Sequence, residues 1–241
     1  MRRLILGSVL VLLGAGMAQA QPMTQAQRAE IVQIVREALV KDPSILRDAL
    51  ASLQKDETLR EDVAARAAIS TQREALNGTG DPVAGNPAGD VTVVEFYDTR
   101  CPYCRGMLPT LAALLRADPK VRLVYKDLPI LGPTSMLEAR ALLAAQRQDG
   151  YLKLQDAVMH SSAPSTAASL RAEAERLGLN GARLERDMAD PAIQARLDAN
   201  IRLANALHVE GTPALVVGTQ MIPGAVELAE LQQAVTAART Q

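Results

Sequence analysis

The sequence is poor in aromatic side chains and in residues that commonly bind metals. Of 241 residues, 2% are aromatic, with no Trp and a single Phe, and there are two histidines and two cysteines. So few rings leave little material for a stacking surface that could bind single-stranded nucleic acid. The formal net charge is -1 and the two signs are mixed along the chain. We therefore expect no nucleic-acid partner.

Long apolar runs are missing as well, apart from one at the start of the chain. Arg2 and Arg3 precede an apolar run over residues 4–17, and Ala18-Gln19-Ala20 follows it. A positive flank, a short apolar core and small residues at a cleavage position predict a secretory signal peptide over residues 1–20. An uncleaved membrane anchor is the alternative, although the run is shorter than the roughly 20 residues that span a bilayer. We expect an exported, soluble mature protein.

The two cysteines occur together in Cys101-Pro102-Tyr103-Cys104, between a strand-like run, Val91–Tyr97, and a helix-like run, residues 105–116. A disulfide can persist outside the cytosol, but a bridge closing so small a loop stabilises a fold very little. The spacing therefore predicts redox chemistry. Half of a zinc site has the same spacing, yet zinc needs two further ligands, and His160 and His208 are isolated from each other.

Residues 24–77 are predicted to be helical throughout. Two apolar stripes recur at helical spacing and are separated by Asp42 and Pro43, which can cap and begin a helix. The stripes comprise Ile31, Ile34, Val35, Ala38 and Leu39, then Ile45, Leu46, Ala49, Leu50 and Leu53. A more polar third run covers residues 56–76, and a breaker-rich linker covers residues 77–82. This extension could pack on the main domain or self-associate, and we favour self-association.

The pattern changes after residue 83. Val91–Tyr97 is apolar on both faces, as in a strand covered on both sides, and residues 121–128 form the next strand after the cysteine helix. Helices are predicted over residues 135–148, 151–159, 167–177 and 190–207, followed by strands at 214–217 and 220–222 and a helix at 227–238. This order predicts an α/β thioredoxin fold with a helical insertion at about 133–207.

Four segments carry a resemblance to a known family: Asp81-Pro82-Val83-Ala84-Gly85-Asn86-Pro87, Glu95-Phe96-Tyr97-Asp98, the cysteine motif, and Val209-Glu210-Gly211-Thr212-Pro213-Ala214. In order they resemble the DsbA-like periplasmic thiol oxidoreductases, over about residues 81–238. The extension, with Lys41-Asp42-Pro43-Ser44-Ile45-Leu46, further resembles the suppressor of copper sensitivity C (ScsC) group. The implied domains are a signal peptide (1–20), a helical extension and linker (21–80) and a DsbA-like domain (81–241).

Cys101 should lie at a helix N-terminus, where backbone N–H groups and the helix dipole favour its thiolate, and should therefore be the nucleophile. Cys104, one turn further along, should be more buried and act as the resolving thiol. Pro102 and Tyr103 shape the loop around the Cys101 sulfur, and Tyr103 supplies no cation there.

The resemblance assigns roles to Thr212 and Pro213. It implies a cis-proline beside the cysteine pair, with the preceding backbone free to pair with a bound substrate strand. A hydroxyl at Thr212 could then touch the pair. From the residues alone, this segment could equally be a turn into a strand.

Three other charged residues lie near the cysteine motif in the sequence: Glu95, Arg100 and Arg105. Glu95 lies on a strand expected to be buried, where a carboxylate is costly unless protonated or paired. The family implies that Glu95 accepts the Cys104 proton, coupled to Lys126 on the neighbouring strand, although strand parity could instead turn it to solvent. Arg100 and Arg105 either assist the thiolate or are solvated surface charges.

These features predict a periplasmic disulfide isomerase or reductase that acts on exported proteins with cysteines and needs no cofactor. The resemblance implies a membrane thiol reductase partner (DsbD/ScsB-like) and favours a homotrimer formed through residues 21–80. Two alternatives stay open. One is a monomeric DsbA-like dithiol oxidase, and the other is a copper-tolerance protein that binds Cu(I) at Cys101 and Cys104.

Overall fold

Residues 23–240 are described by the structure, a computed structural model, and they divide into two units between Asp56 and Glu57. The predicted signal peptide lies outside the described residues. Within residues 23–240, no helix combines the length and the apolar character needed to cross a membrane.

The first unit contains helix α1 (Gln25–Lys41) and the beginning of α2 (Ser44–Thr71). Thr24 caps α1 in a capping box, since its hydroxyl accepts from the Gln27 backbone and the Gln27 side chain accepts from the Thr24 N–H. The Asp42 carboxylate accepts from the Ser44 N–H at 3.0 Å and so starts α2. No residue of α1 is buried.

Helix α2 is longer than predicted, because the second and third helical runs form one continuous helix. The stretch between them, Gln54-Lys55-Asp56-Glu57, contains no proline or glycine, and its residues all tolerate a helix interior. The change in polarity along the sequence therefore does not coincide with a break in the helix.

The second unit is a mixed five-stranded sheet with helices on both faces, which confirms the predicted thioredoxin fold with a helical insertion. Its further elements are α3 (Arg73–Leu76), β1 (Val83–Gly85), β2 (Val91–Tyr97), α4 (Pro102–Ala117), β3 (Val121–Asp127), α5 (Pro133–Gln146), α6 (Tyr151–His160), α7 (Ala167–Arg176), α8 (Gly181–Met188), α9 (Pro191–Ala206), β4 (Ala214–Val217), β5 (Gln220–Pro223) and α10 (Leu228–Ala238). The strand order is β1-β3-β2-β4-β5, with β2 and β3 parallel and the other pairs antiparallel.

Two of these elements were not predicted. Strand β1 has only three residues and shows too little alternation to be recognised. Helix α8 begins at Gly181, in the stretch between the helices predicted at 167–177 and 190–207. The helix forms because the Asn180 side chain caps it by accepting from the Arg183 N–H at 2.8 Å.

The central strand β2 separates two cores. Its odd-numbered residues, such as Val93 and Tyr97, pack with the cysteine helix α4, with α10 and with the insertion. Its even-numbered residues, Val94 and Phe96, pack in a second core. This second core also contains Ile69 from α2, Leu76 from α3, and Leu203 and Leu207 at the end of α9. A side chain on β2 or β3 therefore reaches one core or the other according to its parity.

The predicted linker is fixed to the second unit. Buried Lys126 donates to the Ala75 carbonyl at 2.7 Å and pairs with Asp81, and Arg196 donates to the Gly80 carbonyl and to Asp81 at 2.8 Å. The end of α2 also packs into the second core through Ile69. The second unit therefore begins at Glu57, whereas composition placed the start of the main domain at Asp81.

We predict that Asp81→Asn destabilises the protein by about 3 kcal/mol, because it leaves buried Lys126 without its anionic partner. The matched control is Glu175→Gln, which breaks an ion pair to Arg171 that is about half exposed, and should cost less than about 1 kcal/mol. Denaturant unfolding of the two variants measures the difference. Equal costs would show that Asp81 does not hold the linker.

Candidate active site

Cys101 occupies the N-cap position of α4, the site predicted for it. Its N–H donates to the Asp98 carbonyl at 3.0 Å, and its own carbonyl accepts from the Arg105 N–H at 3.1 Å, the first bond of the helix. Pro102 fits the first turn, since it has no N–H to leave unpaired. Cys101 therefore lies at the end of α4 where the first-turn N–H groups have no partner within the helix.

The two cysteines are both free thiols and differ in environment. Cys101 is 4% exposed and Cys104 is completely buried. Burial raises the pKa of the Cys104 thiol well above its ordinary value, and the nearby Glu95 carboxylate adds to the rise. Tyr103, between them, is 70% exposed and points away from the core. An attacking reagent can thus reach the pair only at the Cys101 sulfur.

Thr212 and Pro213 lie directly against Cys101. The peptide bond between them is cis, and the Cys101 sulfhydryl donates to the Thr212 carbonyl at 3.1 Å. The contact follows from the sheet, because β4 starts at Ala214, which pairs with Phe96 near the end of β2. The two motifs are 111 residues apart in the sequence and form one site. Thr212 contacts the sulfur through its carbonyl oxygen and not through its hydroxyl.

Glu95 lies beneath the pair, on the face of β2 that also carries Val93 and Tyr97. It is 1% exposed, and its Oε1 atom has no hydrogen-bond partner. Burial raises the pKa of this carboxyl to about 8. A group with such a pKa can both hold and release a proton near neutral pH.

The predicted coupling of Glu95 to Lys126 is wrong. In the register of β2 and β3, Glu95 is opposite Tyr125, and Lys126 is opposite Phe96. Lys126 therefore lies on the other face of the sheet, where it pairs with Asp81. No cation neutralises Glu95 from the neighbouring strand, which is consistent with the raised pKa of its carboxyl.

Asp98 was not predicted as a site residue, although it holds the turn before Cys101. It is buried, and one carboxylate oxygen accepts from the Arg100 N–H at 2.8 Å. The other accepts from the N–H groups of Ile130 and Leu131 at 2.9 and 3.0 Å. Its position directly after the apolar strand β2 was the feature of the sequence that could have identified Asp98 as a site residue. Asp98 thereby fixes the loop after β3, with its two exposed apolar side chains, next to the cysteine motif.

Arg100 and Arg105 bind backbone carbonyls and are not solvated surface charges. Arg105 donates through Nε to the Thr99 carbonyl and through Nη1 to the Ser161 carbonyl, both at 2.8 Å. Arg100 donates to the Ala163 carbonyl at 3.3 Å. Both arginines therefore connect the active-site turn with the loop between α6 and α7.

A second buried acid joins the sheet to the insertion. Asp127, at the end of β3, accepts from the hydroxyls of Tyr97 at 3.1 Å and Tyr151 at 2.9 Å. Burial raises the pKa of its carboxyl to about 7. Asp127, Tyr97 and Tyr151 form a cluster at the same end of strands β2 and β3 as Asp98. The sequence did not predict this cluster.

Within residues 23–240, no group of three or more His, Cys, Asp or Glu side chains is placed to hold a metal ion. His160 is exposed and lies 3.3 Å from the Asp156 carboxylate, and His208 is exposed as well. The cysteine pair offers two sulfur ligands at most.

Two family models match the chain. The model described as a DSBA-like thioredoxin domain matches residues 92–236, and the model described as the copper resistance protein ScsC N-terminal domain matches residues 27–58. The second match falls on α1 and the first part of α2, and the first covers the sheet, the cysteine motif and the insertion.

Similar solved structures include a thioredoxin-like oxidoreductase from Silicibacter pomeroyi, 44% identical with a TM-score of 0.67, covering 70% of this chain and 98% of that one. A linker-deletion mutant of Proteus mirabilis ScsC is 25% identical with a TM-score of 0.67 and covers 92% and 99%. Among curated proteins, a Salinispora arenicola protein named Na(+)/H(+) antiporter NhaA 1 is 31% identical over 66% of this chain. The match spans only 24% of that relative's length.

We predict that Glu95→Gln stabilises the protein at pH 8 and has much less effect at pH 5. The folded chain keeps the Glu95 proton up to about pH 8, whereas the unfolded chain releases it near 4.5. The free energy of unfolding of the wild type therefore falls as pH rises through this window, and glutamine removes that loss. We expect a gain on the order of 3 kcal/mol at pH 8.

The measurement is denaturant unfolding at the two pH values. The control is Glu230→Gln on exposed α10, whose effect should be the same at both. If the stability difference between Glu95→Gln and wild type does not grow with pH, Glu95 is not a buried, protonated carboxyl.

Proposed function

Because the chain belongs to the DSBA-like thioredoxin family of thiol-disulfide oxidoreductases, we propose that it reduces or isomerises disulfides of exported proteins in the periplasm. One observation carries the proposal. The sulfur of Cys101 lies at the N-terminus of α4 and 3.1 Å from the carbonyl oxygen that precedes Pro213. A nucleophilic sulfur is thus placed next to backbone that a bound peptide can pair with.

The first step is attack by the Cys101 thiolate on a substrate disulfide. A bond forms between Cys101 and one substrate sulfur while the substrate S–S bond breaks, and the other substrate sulfur leaves as a thiolate. Cys101 begins α4, and the N-terminus of a helix carries a partial positive charge, which is the kind of environment in which reactive cysteines are found.

The second step depends on Cys104 and Glu95. In the fraction of molecules in which Glu95 is ionised, its carboxylate takes the Cys104 proton. The Cys104 thiolate then attacks the Cys101 sulfur, which breaks the mixed disulfide and releases the second substrate sulfur. The substrate has then gained two electrons and the cysteine pair has lost them. Thr212, Pro213, Pro102 and Tyr103 form the surface at which the exchange occurs. A membrane thiol reductase of the DsbD/ScsB-like type would return the pair to its dithiol form.

Isomerisation follows when a second substrate thiol, in place of Cys104, resolves the mixed disulfide. It requires that the substrate stay near several reduced sites, which a homo-oligomer provides through a high effective concentration. The first unit supports this proposal, because its large apolar side chains are exposed to between 39% and 75%. They are Met23, Ile31, Val32, Ile34, Val35, Leu39, Val40, Ile45, Leu46, Leu50 and Leu53.

A surface so rich in apolar side chains on two helices is typical of a protein interface. We propose that three copies of this chain associate through residues 23–56 and that this association buries the apolar surface of each copy. The match of residues 27–58 to the ScsC N-terminal domain supports the placement of this interface.

We predict that Cys104→Ala accumulates mixed disulfides with oxidised exported proteins, because the complex formed by Cys101 can no longer be resolved internally. Non-reducing electrophoresis should show these adducts, and dithiothreitol should release them. The matched control is Cys101→Ala with Cys104→Ala, which should form none. A Cys104→Ala protein that forms no adduct, while the wild type binds Cu(I), would replace this proposal with a copper-binding function.

We predict that the mature chain is an oligomer and that Leu46→Asp with Leu50→Asp makes it monomeric, because buried like charges would repel in the interface. The control Ser52→Asp adds charge at an exposed polar position of the same helix and should leave the oligomer intact. Light scattering gives the mass, and refolding of a scrambled disulfide protein gives the isomerase activity, expected to fall about tenfold in the monomer.

Reaction with a small disulfide should be equal in the monomeric variant and the control, since each second unit carries a complete cysteine site. A wild-type chain that is itself monomeric would instead favour the dithiol oxidase.

A further inference from the structure

Glu138 is a fully buried carboxylate in the middle of α5, the first helix of the insertion. Its Oε2 atom accepts from the Thr99 hydroxyl at 2.6 Å, and its Oε1 atom accepts from the Ser165 hydroxyl at 2.6 Å. The Arg100 guanidinium lies 3.8 Å from Oε1. The two carboxylate oxygens thus bind the active-site turn on one side and the loop between α6 and α7 on the other.

Packing alone does not account for this residue. The neighbouring buried positions of α5, such as Ala139 and Leu142, are apolar and fill the core without polar atoms. Taking a carboxylate out of water is costly, and an apolar side chain of similar volume often gives equal or greater stability. What Glu138 supplies, and an apolar residue would not, is two directed hydrogen bonds that fix the position of Thr99 and Ser165.

Thr99 links Glu138 to the nucleophile. It is 3% exposed and lies two residues before Cys101. Its carbonyl accepts from Arg105 Nε at 2.8 Å, and Arg105 lies one helical turn after Cys101. The chain before the nucleophile and the helix after it are therefore tied together at Thr99. The Glu138 carboxylate fixes the side chain of that same residue.

We propose that Glu138 is a positioning residue for thiol exchange, which acts through Thr99 to hold the Cys101 sulfur opposite the Thr212 carbonyl. This inference rests on the proposed oxidoreductase function. Exchange between sulfurs needs the attacking, central and leaving sulfur atoms nearly in line, so it is sensitive to small displacements of the nucleophile. Alkylation by iodoacetamide is also an in-line displacement, but so small a reagent can turn to meet the thiolate wherever it lies, whereas a disulfide that pairs with the backbone beside Pro213 is held in one orientation. Positioning therefore affects the first reaction more than the second.

The test uses the full mature chain and two matched pairs of variants. Thr99→Val removes the hydroxyl at nearly constant shape, and Thr99→Ser retains it. Ser165→Ala removes the other hydrogen bond to Glu138 without touching the active-site turn. For each variant the rate of reaction with oxidised glutathione is compared with the rate of alkylation by iodoacetamide. Both rates are corrected for the thiolate fraction, obtained from the absorbance at 240 nm as a function of pH.

We expect Thr99→Val to lower the exchange rate about tenfold and the corrected alkylation rate less than about twofold, as for the loss of one charged hydrogen bond. Thr99→Ser should restore exchange, and Ser165→Ala should lower the melting temperature with exchange unchanged. Glu138→Gln keeps the size of the side chain and covers the case in which Thr99→Val fails to fold. The variant that combines Glu138→Gln with Thr99→Val should exchange no more slowly than Thr99→Val alone, because both changes remove the same hydrogen bond.

Two results would overturn the proposal. In one, Thr99→Val lowers the melting temperature but leaves exchange at the wild-type rate. In the other, Thr99→Val and Ser165→Ala slow exchange equally, which would mean that Glu138 stabilises the surrounding fold and has no specific effect through Thr99. A wild-type protein that does not react with oxidised glutathione at all would instead refute the proposed function itself.

Discussion

The contact between the Cys101 sulfur and the Thr212 carbonyl, 3.1 Å long, depends on almost every feature of the second unit. It requires β2 to lie in the centre of the sheet, so that β4 can pair beside it with its first residue near the end of β2. It also requires α4 to begin just after β2, so that the helix N-terminus faces the start of β4. The insertion fits between β3 and β4 without disturbing this arrangement, because the end of β3 and the start of β4 both lie beside the end of β2.

The buried acids around the site differ in how fully they are hydrogen-bonded, and this difference separates their functions. Asp98 accepts three backbone N–H groups and Glu138 two hydroxyls, so each has partners enough to offset the cost of burial. Glu95 and Asp127 each retain an oxygen without a partner, and burial raises the pKa of their carboxyls to about 8 and about 7. The first two hold the turn in place. Of the other two, Glu95 is close enough to Cys104 to help raise the pKa of its thiol.

Much of this arrangement was predictable from the sequence, and the parts that were not have a common cause. The bounds of β2 and β4 were predicted because strands covered on both faces are continuously apolar. Contacts between elements that are far apart in the sequence were harder to predict. The partner of Lys126 depends on register and parity between two strands, and a shift of one residue moves a side chain to the opposite core. Glu138 lies within a predicted helix, yet nothing in its local sequence marks it as a partner of Thr99. The packing of Ile69 and Leu76 in the second core was not predicted, because both residues are scattered in a polar stretch.

The geometry of the cysteine pair does not by itself give the exchange a direction. A site that holds the sulfur atoms in line stabilises the transition state of exchange, and it speeds formation and cleavage of a mixed disulfide alike because both pass through that transition state. A net direction needs something outside the pair, either a partner that keeps the thiols reduced or a means of keeping substrate near several pairs at once. The first unit has the chemical character for the second of these, because its apolar side chains are left uncovered within one chain. An oxidase that reacts once with each substrate gains nothing from such a surface, whereas an isomerase must meet the same substrate repeatedly. The exposed helices before Glu57 therefore support the proposed isomerisation by an assembly of several chains, for a reason that does not depend on the cysteine motif.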